Sequence, residues 1–462
     1  FAFAHDHVIN SDGIVYIQQA KALHYGLFHL LTSCTSSVSI YPVLIETGYR
    51  LVGDWVLSAR IISLLAGTLV LIPLYGLLRR FHDAMISSLA LLVFAVNPSF
   101  VAWSHSVIRD PVFWFFLMTG IYFFVLHLEE LKGRPLALSV LCFLSATCAR
   151  IEAVFFVLVS FCCLIFFQQK SRLKRTVIFM APVLAFLFGT VFVGFVTGQN
   201  FLQFLRLEMV ADSFSELAQG YVKVREHLTS LAESQPAGFS PYFFSYVRNL
   251  TWLIALGTVV VYVIRAFFLP FFILFLMGIR DGGRGVRKDL RLFYLSLLSL
   301  VALLVLYGQV ISSWSMFTRF AGLFLLPSFV FVGFGLNRIA DYFAVRLNAS
   351  RQGICLILCV VVLAVSLPKS LTPKEESSKS VYKEIGEYVA SQEPRKRAVF
   401  VKGDIEQMPL VNFYANRDRE SAECYLAKRS SKRFEKAVDW DFLLLPDEGK
   451  GSVGLNSTGP VM

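Results

Sequence analysis

Ionisable residues beside long apolar segments are the first candidates for chemistry in this sequence. Asp12 and Tyr16 are four residues apart, a spacing that places both side chains on one face of a helix. Further polar residues lie at the ends of later apolar segments: His105, Arg109, Asp110, Arg150, Glu152 and Arg319. Because ionisable groups at membrane depth are costly, their repeated occurrence there favours a functional role.

The combination of carboxylates and arginines suits transfer of a group from an anionic phosphate donor. A carboxylate can take the proton of an acceptor hydroxyl, and guanidinium groups can neutralise a departing phosphate. A structural alternative stays open for each residue, because Asp12 is also a suitable N-cap for a helix and arginine is tolerated at the membrane interface. That alternative weakens when all of these residues fall on one side of the membrane.

The composition indicates a polytopic membrane protein. Hydrophobic residues make up 56% of the 462 residues and charged residues only 16%, whereas soluble domains have about a quarter charged residues. We predict ten membrane spans, at residues 56–78, 84–101, 111–128, 136–149, 153–167, 177–196, 259–279, 292–311, 320–336 and 353–367. The chain does not begin with Met, and we expect an eleventh span upstream.

The net charge of +11 comes largely from short basic loops and does not indicate nucleic-acid binding. Lysine and arginine cluster in every second loop: Arg79-Arg80, Lys132 with Arg134, and residues 170–175, 280–291 and 338–351. The positive-inside bias places these five loops in the cytoplasm. The alternate loops, with the candidate residues, then face outward, and we expect a bacterial inner membrane as the location.

The predicted architecture is an all-α polytopic membrane protein with a small C-terminal α/β module. The alternation of helix and strand patterns in the tail predicts that module. The predicted parts are an outer loop at 1–55 with amphipathic helices at 12–23 and 41–52, a membrane core at 56–367 with a large outer loop at 197–249, the α/β module at 374–448, and a disordered end at 449–462.

Five segments, in order along the chain, resemble the GT-C glycosyltransferases. They look like the branch of that superfamily related to dolichyl-phosphate-mannose–protein mannosyltransferases and lipid A aminoarabinose transferases. The segments are Asp12-Gly-Ile-Val-Tyr16 with Ala20, residues 60–75, Asn97-Pro98 with residues 104–110, Arg150-Ile-Glu152, and Thr318-Arg319-Phe320 with Pro327. The resemblance extends over about residues 10–340.

The resemblance implies transfer of a sugar from a polyprenyl-phosphate donor, with inversion at the anomeric carbon. It implies Asp12 as the catalytic base, Asp110 as a second acidic residue, and arginines as donor-phosphate contacts: Arg109, Arg150 and Arg319. Tyr16, His105 and Glu152 become candidates for substrate binding. Two residues depart from the family pattern, because Gly13 replaces a common glutamate and Phe320 replaces a tyrosine.

The acceptor stays open between a protein, a lipid and a glycan. We expect no cofactor. Because the second first-loop carboxylate is absent, dependence on a divalent metal stays open. The spacing of the first-loop histidines disfavours a zinc site built from His5, His7, His24 and His29. A transporter or flippase of lipid-linked glycans is the alternative function. It would favour an internal repeat and charges in the middle of spans, and the sequence shows neither clearly. A scaffold that displays the tail is a third hypothesis.

Overall fold

The computed structural model describes residues 8–31, 38–167, 172–197, 207–234, 240, 242–372, 377–392, 399, 401–403, 408–419, 442–446 and 453–456. Helices make up most of these residues. They are α1 Ser11–His24, α2 Ile40–Val52, α3 Trp55–Leu69, α4 Leu71–Leu78, α5 Ala84–Ala95, α6 Pro98–Ser104, α7 Asp110–Glu130, α8 Gly133–Ala149, α9 Val154–Phe167, α10 Arg172–Thr197, α11 Leu207–Ser234, α12 Phe243–Phe267, α13 Leu269–Val286, α14 Leu290–Ser313, α15 Gly322–Ser328, α16 Val330–Arg346, α17 Arg351–Leu371, α18 Ser377–Gln392 and α19 Met408–Ala415.

The chain forms two compact units. The first consists of Phe1–Leu65, His105–Arg109 and Leu371–Met462, and the second of Ala66–Ser104 and Asp110–Ser370. Arg109 and Asp110 are consecutive residues, so the boundary between the units falls within one of the predicted site segments.

Membrane-spanning helices define the class of the protein. Within the described residues, six helices are long and apolar enough to cross a bilayer: Trp55–Leu78, Asp110–Glu130, Arg172–Phe192, Phe243–Phe267, Leu290–Ser313 and Arg351–Leu371. Two bent pairs, α5 with α6 at 60° and Thr318–Ser328 with α16 at 66°, raise the number to eight if each is one span. The protein is an integral, multi-pass membrane protein.

The predicted number of ten spans is higher than these helices give. Gly133–Ala149 and Ile151–Phe167 are shorter apolar helices. A helix of 17 residues rises only about 26 Å, less than the hydrocarbon thickness of about 30 Å. The predicted spans at 136–149 and 153–167 correspond to these two helices, and the turn between them lies at Arg150, as the sequence predicts.

Helix α10 has an exposed face of large aromatic side chains. Phe188, Phe192 and Phe195 are 72%, 67% and 86% exposed and follow one another at helical spacing. Apolar faces of this size are stable in contact with lipid rather than water. Phenylalanine side chains therefore contribute to the membrane-facing surface as well as to the core.

The segment 197–249, predicted to be a large outer loop, differs in its helices from the sequence prediction. The residue pattern of this segment predicts two helices, at about 201–217 and 221–231, but the described part forms one continuous helix, Leu207–Ser234. The first of the two predicted helices begins within 198–206, which lie outside the described residues. Helix α12 then begins at Phe243, so the polar interval also contains the start of a spanning helix.

The predicted span at 259–279 is wrong, because two helices meet within it. Helix α12 ends at Phe267, and Phe268 adopts a left-handed φ of 66° before α13 begins with Leu269-Pro270. Inside a continuous helix, proline lacks the backbone N–H donor and its ring clashes with the carbonyl group four residues earlier, whereas it is well accommodated in the first turn of a new helix. The Pro270 signal was therefore present in the sequence.

Asn97 closes the C-terminal end of α12 from another part of the second unit. Its Nδ2 donates to the carbonyl oxygens of Ala266 and Phe267 at 3.1 and 3.0 Å, and its Oδ1 accepts from the backbone N–H of Ser99 at 2.9 Å. The side chain is fully buried. One amide thus satisfies three backbone groups that helix ends otherwise leave without partners.

Replacing Asn97 with alanine is expected to lower the free energy of unfolding by about 1–3 kcal/mol, because buried carbonyl groups lose their donors. Thermal unfolding in detergent measures the effect. Ser99→Ala is the matched control, since Ser99 Oγ makes a more exposed bond to the neighbouring Arg265 carbonyl at 3.2 Å. Equal stability of the two variants would contradict the capping role of Asn97.

Helices α13 and α16 cross at backbone contact. A Cβ atom added to Gly278 would lie 1.7 Å from the carbonyl oxygen of Phe331, and one added to Gly335 would lie 2.0 Å from that of Leu274. Only glycine permits so close an approach, which is typical of helix pairs in membranes. This crossing fixes part of the second unit's helix packing.

In the first unit, the helices predicted at 12–23 and 41–52 are confirmed as α1 and α2. Helix α1 is not amphipathic as predicted, because nine of its 14 residues are buried. Of the segment between the two helices, residues 32–37 lie outside the described residues.

The C-terminal part of the first unit contains helices α18 and α19 and three short strands. The strands are β1 Val401–Gly403, β2 Phe442–Pro446 and β3 Val453–Asn456. β1 pairs with β2 in parallel and β2 pairs with β3 antiparallel. Strand β3 lies within the end predicted to be disordered, and the rest of that end is outside the described residues. An independent α/β module stays a prediction.

Candidate active site

Asp12 lies in the first turn of α1 and does not cap it. Asn10 is the N-cap: it has extended backbone angles, and its side chain accepts from the Gly13 N–H at 2.7 Å. The prediction that Asp12 caps the helix is therefore wrong. Its carboxylate is still placed favourably, since the N-terminal end of a helix stabilises negative charge.

Gly13 permits close packing between α1 and the loop 105–109. A Cβ atom at this position would lie 3.1 Å from Val107 Cβ and 3.2 Å from its carbonyl oxygen. The glutamate that the family resemblance would place here could be accommodated only if Val107 moved. The departure from the family pattern thus has a packing reason.

The loop 105–109 is anchored by a buried hydroxyl network. Ser63 Oγ donates to the Ile108 carbonyl at 3.2 Å and contacts Tyr41 Oη at 2.7 Å. The Arg109 guanidinium lies 6.0 Å from the ring centroid of Tyr16, and Tyr16 packs edge-on against Tyr41. The first unit therefore brings Tyr16 and Arg109 together, while His105 lies at the start of the same loop.

The second unit contains a buried three-residue charge cluster. Arg150 Nη1 donates to Asp110 Oδ1 at 2.6 Å, and Arg150 Nη2 donates to Glu152 Oε1 at 2.5 Å. Arg150 Nε makes a longer bond to Glu152 Oε2 at 3.4 Å. Asp110 is 3% exposed and Arg150 is 7% exposed. The sequence predicted all three residues, and the structure brings them together although 40 positions separate Asp110 from Arg150.

Local backbone geometry places this cluster at the junctions of helices. Asp110 is the first residue of α7, and Arg150 is an extended residue between α8 and the 3-10 turn Ile151–Ala153. The extended Arg150 directs the chain from one helix into the next. Its neighbour Glu152 lies in the first turn of the following helical segment, where a carboxylate is favoured.

Aromatic rings enclose the guanidinium of Arg150. Its Cζ lies 4.3 Å from the ring centroid of Phe320 and 5.6 Å from that of Phe113. Rings that exclude water strengthen the charge interactions next to them. Phe320, which lacks the family's tyrosine hydroxyl, thus supplies a stacking face to the cluster.

Arg319 lies beside this cluster among further aromatic side chains. Its guanidinium is 5.1, 5.3 and 5.7 Å from the ring centroids of Phe317, Phe320 and Trp103. Arg319 and Arg150 both approach the ring of Phe320. Arg150 is paired with two carboxylates, and Arg319 lies next to three aromatic rings.

A small pocket adjoins the charge cluster. Its walls are Phe113, Arg150, Glu152, Val305, Leu306, Gln309, Phe320 and Leu323. Gln309 was not a sequence candidate. The available signal was its position as an amide within the otherwise apolar helix Leu290–Ser313, since polar groups inside spanning helices are by default functional candidates.

A metal site has no support among the described residues, which include no group of three or more His, Cys, Asp or Glu side chains able to hold an ion. His24 instead contacts Glu46 Oε1 at 3.2 Å. His5 and His7 lie outside the described residues.

Comparison with known proteins supports the resemblance found in the sequence. Residues 39–194 match the family model described as dolichyl-phosphate-mannose-protein mannosyltransferase. A solved structure of the Archaeoglobus fulgidus oligosaccharyltransferase, in complex with zinc and sulfate, matches 90% of this chain at a TM-score of 0.57 and 13% identity. The chain shares its fold with the matched part of that structure.

Two further structures from Archaeoglobus fulgidus agree with this fold. One, the oligosaccharyltransferase AglB with an inhibitory peptide and a dolichol-phosphate, matches 91% of the chain at a TM-score of 0.58 and 12% identity. The other is the oligosaccharyltransferase tethered to an acceptor peptide that contains the NVT sequon. It matches 91% of the chain at a TM-score of 0.57 and 11% identity. The chain spans 58–61% of the length of these three structures. No curated protein gives a significant sequence match.

Proposed function

We propose that this protein is a membrane glycosyltransferase that moves a sugar from a polyprenyl-phosphate donor to an acceptor hydroxyl. The observation that carries the proposal is the buried Asp110–Arg150–Glu152 cluster beside Arg319. Carboxylates and an additional arginine at the end of apolar helices provide the charges that transfer from a lipid phosphate requires. The family match over residues 39–194 and the fold shared with the oligosaccharyltransferase structures support the same class.

In the proposed reaction, Asp12 takes the proton from the acceptor hydroxyl as its oxygen attacks the anomeric carbon. The bond between that carbon and the phosphate oxygen breaks, and the lipid phosphate leaves with the bonding electrons. Attack from the opposite side inverts the anomeric configuration. Arg319 and Arg109 would neutralise the charge that develops on the phosphate.

The buried pairs give Arg150 a different proposed task. Two carboxylates already accept its hydrogen bonds, so a phosphate would have to compete with both. We therefore assign Arg150 to the positioning of Asp110 and Glu152. Glu152, together with Tyr16 and His105, is a candidate for binding the sugar or the acceptor.

The five basic loops support an orientation with the site on the outer face of a bacterial inner membrane. The acceptor class would be a protein, a lipid or a glycan.

The test supplies the full purified protein with a panel of polyprenyl-phosphate sugars and follows acceptors by mass spectrometry and the release of free polyprenyl phosphate. Arg319→Met is expected to lower kcat/KM about 100-fold, because the leaving phosphate loses a charged contact, and Arg319→Lys is expected to lose less. Arg287→Met, at an exposed position in a basic loop, is the control. Movement of intact donor across vesicles without release of polyprenyl phosphate would instead establish the flippase alternative.

A further inference from the structure

Lys21 is a buried lysine that binds three backbone carbonyl groups of the C-terminal segment. It lies on α1 and is only 3% exposed. Its Nζ donates to the carbonyl oxygens of Asn416, Arg417 and Arg419 at 3.0, 2.7 and 3.1 Å. An ammonium group has three N–H donors, and here each has a carbonyl acceptor.

The acceptors lie in the turn that follows helix α19. They belong to residues 416, 417 and 419, one to four positions beyond the last helical residue, Ala415. A buried carbonyl group needs a hydrogen-bond donor, and Lys21 supplies one to each of these three. Burial lowers the pKa of Lys21 to about 8, with Asp418 acting in the opposite direction. The carbonyl contacts offset the cost of burying this charge.

Two other contacts connect the same segment to the neighbourhood of α1. The backbone N–H of Ile9 donates to Tyr414 Oη at 3.1 Å, immediately before the capping residue Asn10. Arg417 forms an ion pair with Asp54, which follows α2. The segment therefore holds α1 near both of its ends.

Hydrogen bonds and apolar packing hold the C-terminal segment in place. Asn412 exchanges two hydrogen bonds with the backbone of Val401, at 2.8 and 3.0 Å, and Asn416 exchanges two with that of Val399, at 2.8 and 2.7 Å. Val389, Val399, Val401, Val411 and Ala415 form a buried apolar cluster. A segment fixed in this way can transmit its position to α1.

We infer that residues 408–419 position the helix that carries Asp12, through the bonds of Lys21 and Tyr414. The C-terminal segment then contributes to the transfer activity by positioning α1 and is not a separate functional unit. Lys21 acts as a positioning residue, since it lies nine positions from Asp12 on the same helix and binds the C-terminal segment. The catalytic part of this inference rests on the proposed function.

Lys21→Met and Tyr414→Phe test the inference in the full protein. Methionine retains the length of the side chain without its donors, and phenylalanine retains the ring without its hydroxyl. Each variant is expected to increase hydrogen exchange in residues 8–24 and 408–419. Each should lower kcat, with about a 10- to 100-fold loss for Lys21→Met and donor KM within about twofold, since the change affects geometry rather than donor contacts.

Lys21→Arg should restore at least part of kcat, because a guanidinium can also donate to several carbonyls. Lys223→Met, at an exposed position on α11, is the matched control and should leave exchange and kcat unchanged. Unchanged exchange in both test variants would overturn the contact itself. Increased exchange with full kcat would overturn its role in positioning. The exchange measurement requires no turnover, so failure of the wild-type protein to transfer any sugar would contradict the proposed function separately.

Discussion

Replacing Asp12 with asparagine is expected to leave the protein folded and to lower sugar transfer by about 10²–10⁴-fold, the range of a lost general base. Asparagine has nearly the same shape as aspartate but cannot take up the acceptor proton. The N-cap bond is retained, because Asn10 and not Asp12 accepts from Gly13. Initial rates of polyprenyl phosphate release measure the loss, and hydrogen exchange across α1 checks the fold.

Asn10→Ala is the control that separates helix capping from proton transfer. It removes the cap, at a cost of about 1 kcal/mol, and leaves the Asp12 carboxylate in place. We expect a less stable α1 with most of the transfer activity retained. If Asn10→Ala lost as much activity as Asp12→Asn, helix integrity rather than a catalytic base would explain both variants.

Replacing Arg150 with methionine is expected to destabilise the second unit by about 3–5 kcal/mol, because Asp110 and Glu152 would then remain in a largely buried site without their cation. Thermal unfolding in detergent measures this change, and transfer activity should fall with it. Arg150→Lys should be intermediate. Its single ammonium keeps the charge but lacks the planar fork that binds one carboxylate on each side.

A double variant identifies the origin of that loss. Adding Asp110→Asn to Arg150→Met removes one unpaired carboxylate, so the double variant should be more stable than Arg150→Met alone. The sum of the two single effects would then exceed the measured effect of the pair. Simple additivity would contradict a direct interaction between Asp110 and Arg150.

The sequence by itself determined the class of the protein and the types of residue available for chemistry. Membrane-spanning segments are recognisable in the sequence because the surrounding hydrocarbon requires apolar side chains, independently of which helices pack against them. The match to residues 39–194 and the fold shared with the oligosaccharyltransferase structures agree with the resemblance read from short motifs. The candidate roles of Asp12, Arg109 and Arg319 remain predictions.

Helix breaks were only partly predictable. The break at Phe268 has a sequence signal in Pro270, and the turn at Arg150 lies between the predicted spans 136–149 and 153–167, as the structure has it. Hydropathy averages over windows longer than a single break, so it merged the end of α12 with the start of α13. The capping of α12 by Asn97 had no signal, since a residue 169 positions from its acceptor cannot be paired by local pattern.

Only the tertiary structure decided what each candidate touches. Arg150 was a candidate phosphate contact in the sequence, and the fold gives its guanidinium to Asp110 and Glu152. In the sequence, Gly13 stands where the family resemblance implies a glutamate. In the structure, Gly13 packs closely against Val107. The sequence gives no signal for the role of Lys21, because its three carbonyl partners lie about 400 residues later in the chain. The physical reason is common to all three: residue type fixes the charge and the donors, whereas the partners of a buried polar group come from distant parts of the chain.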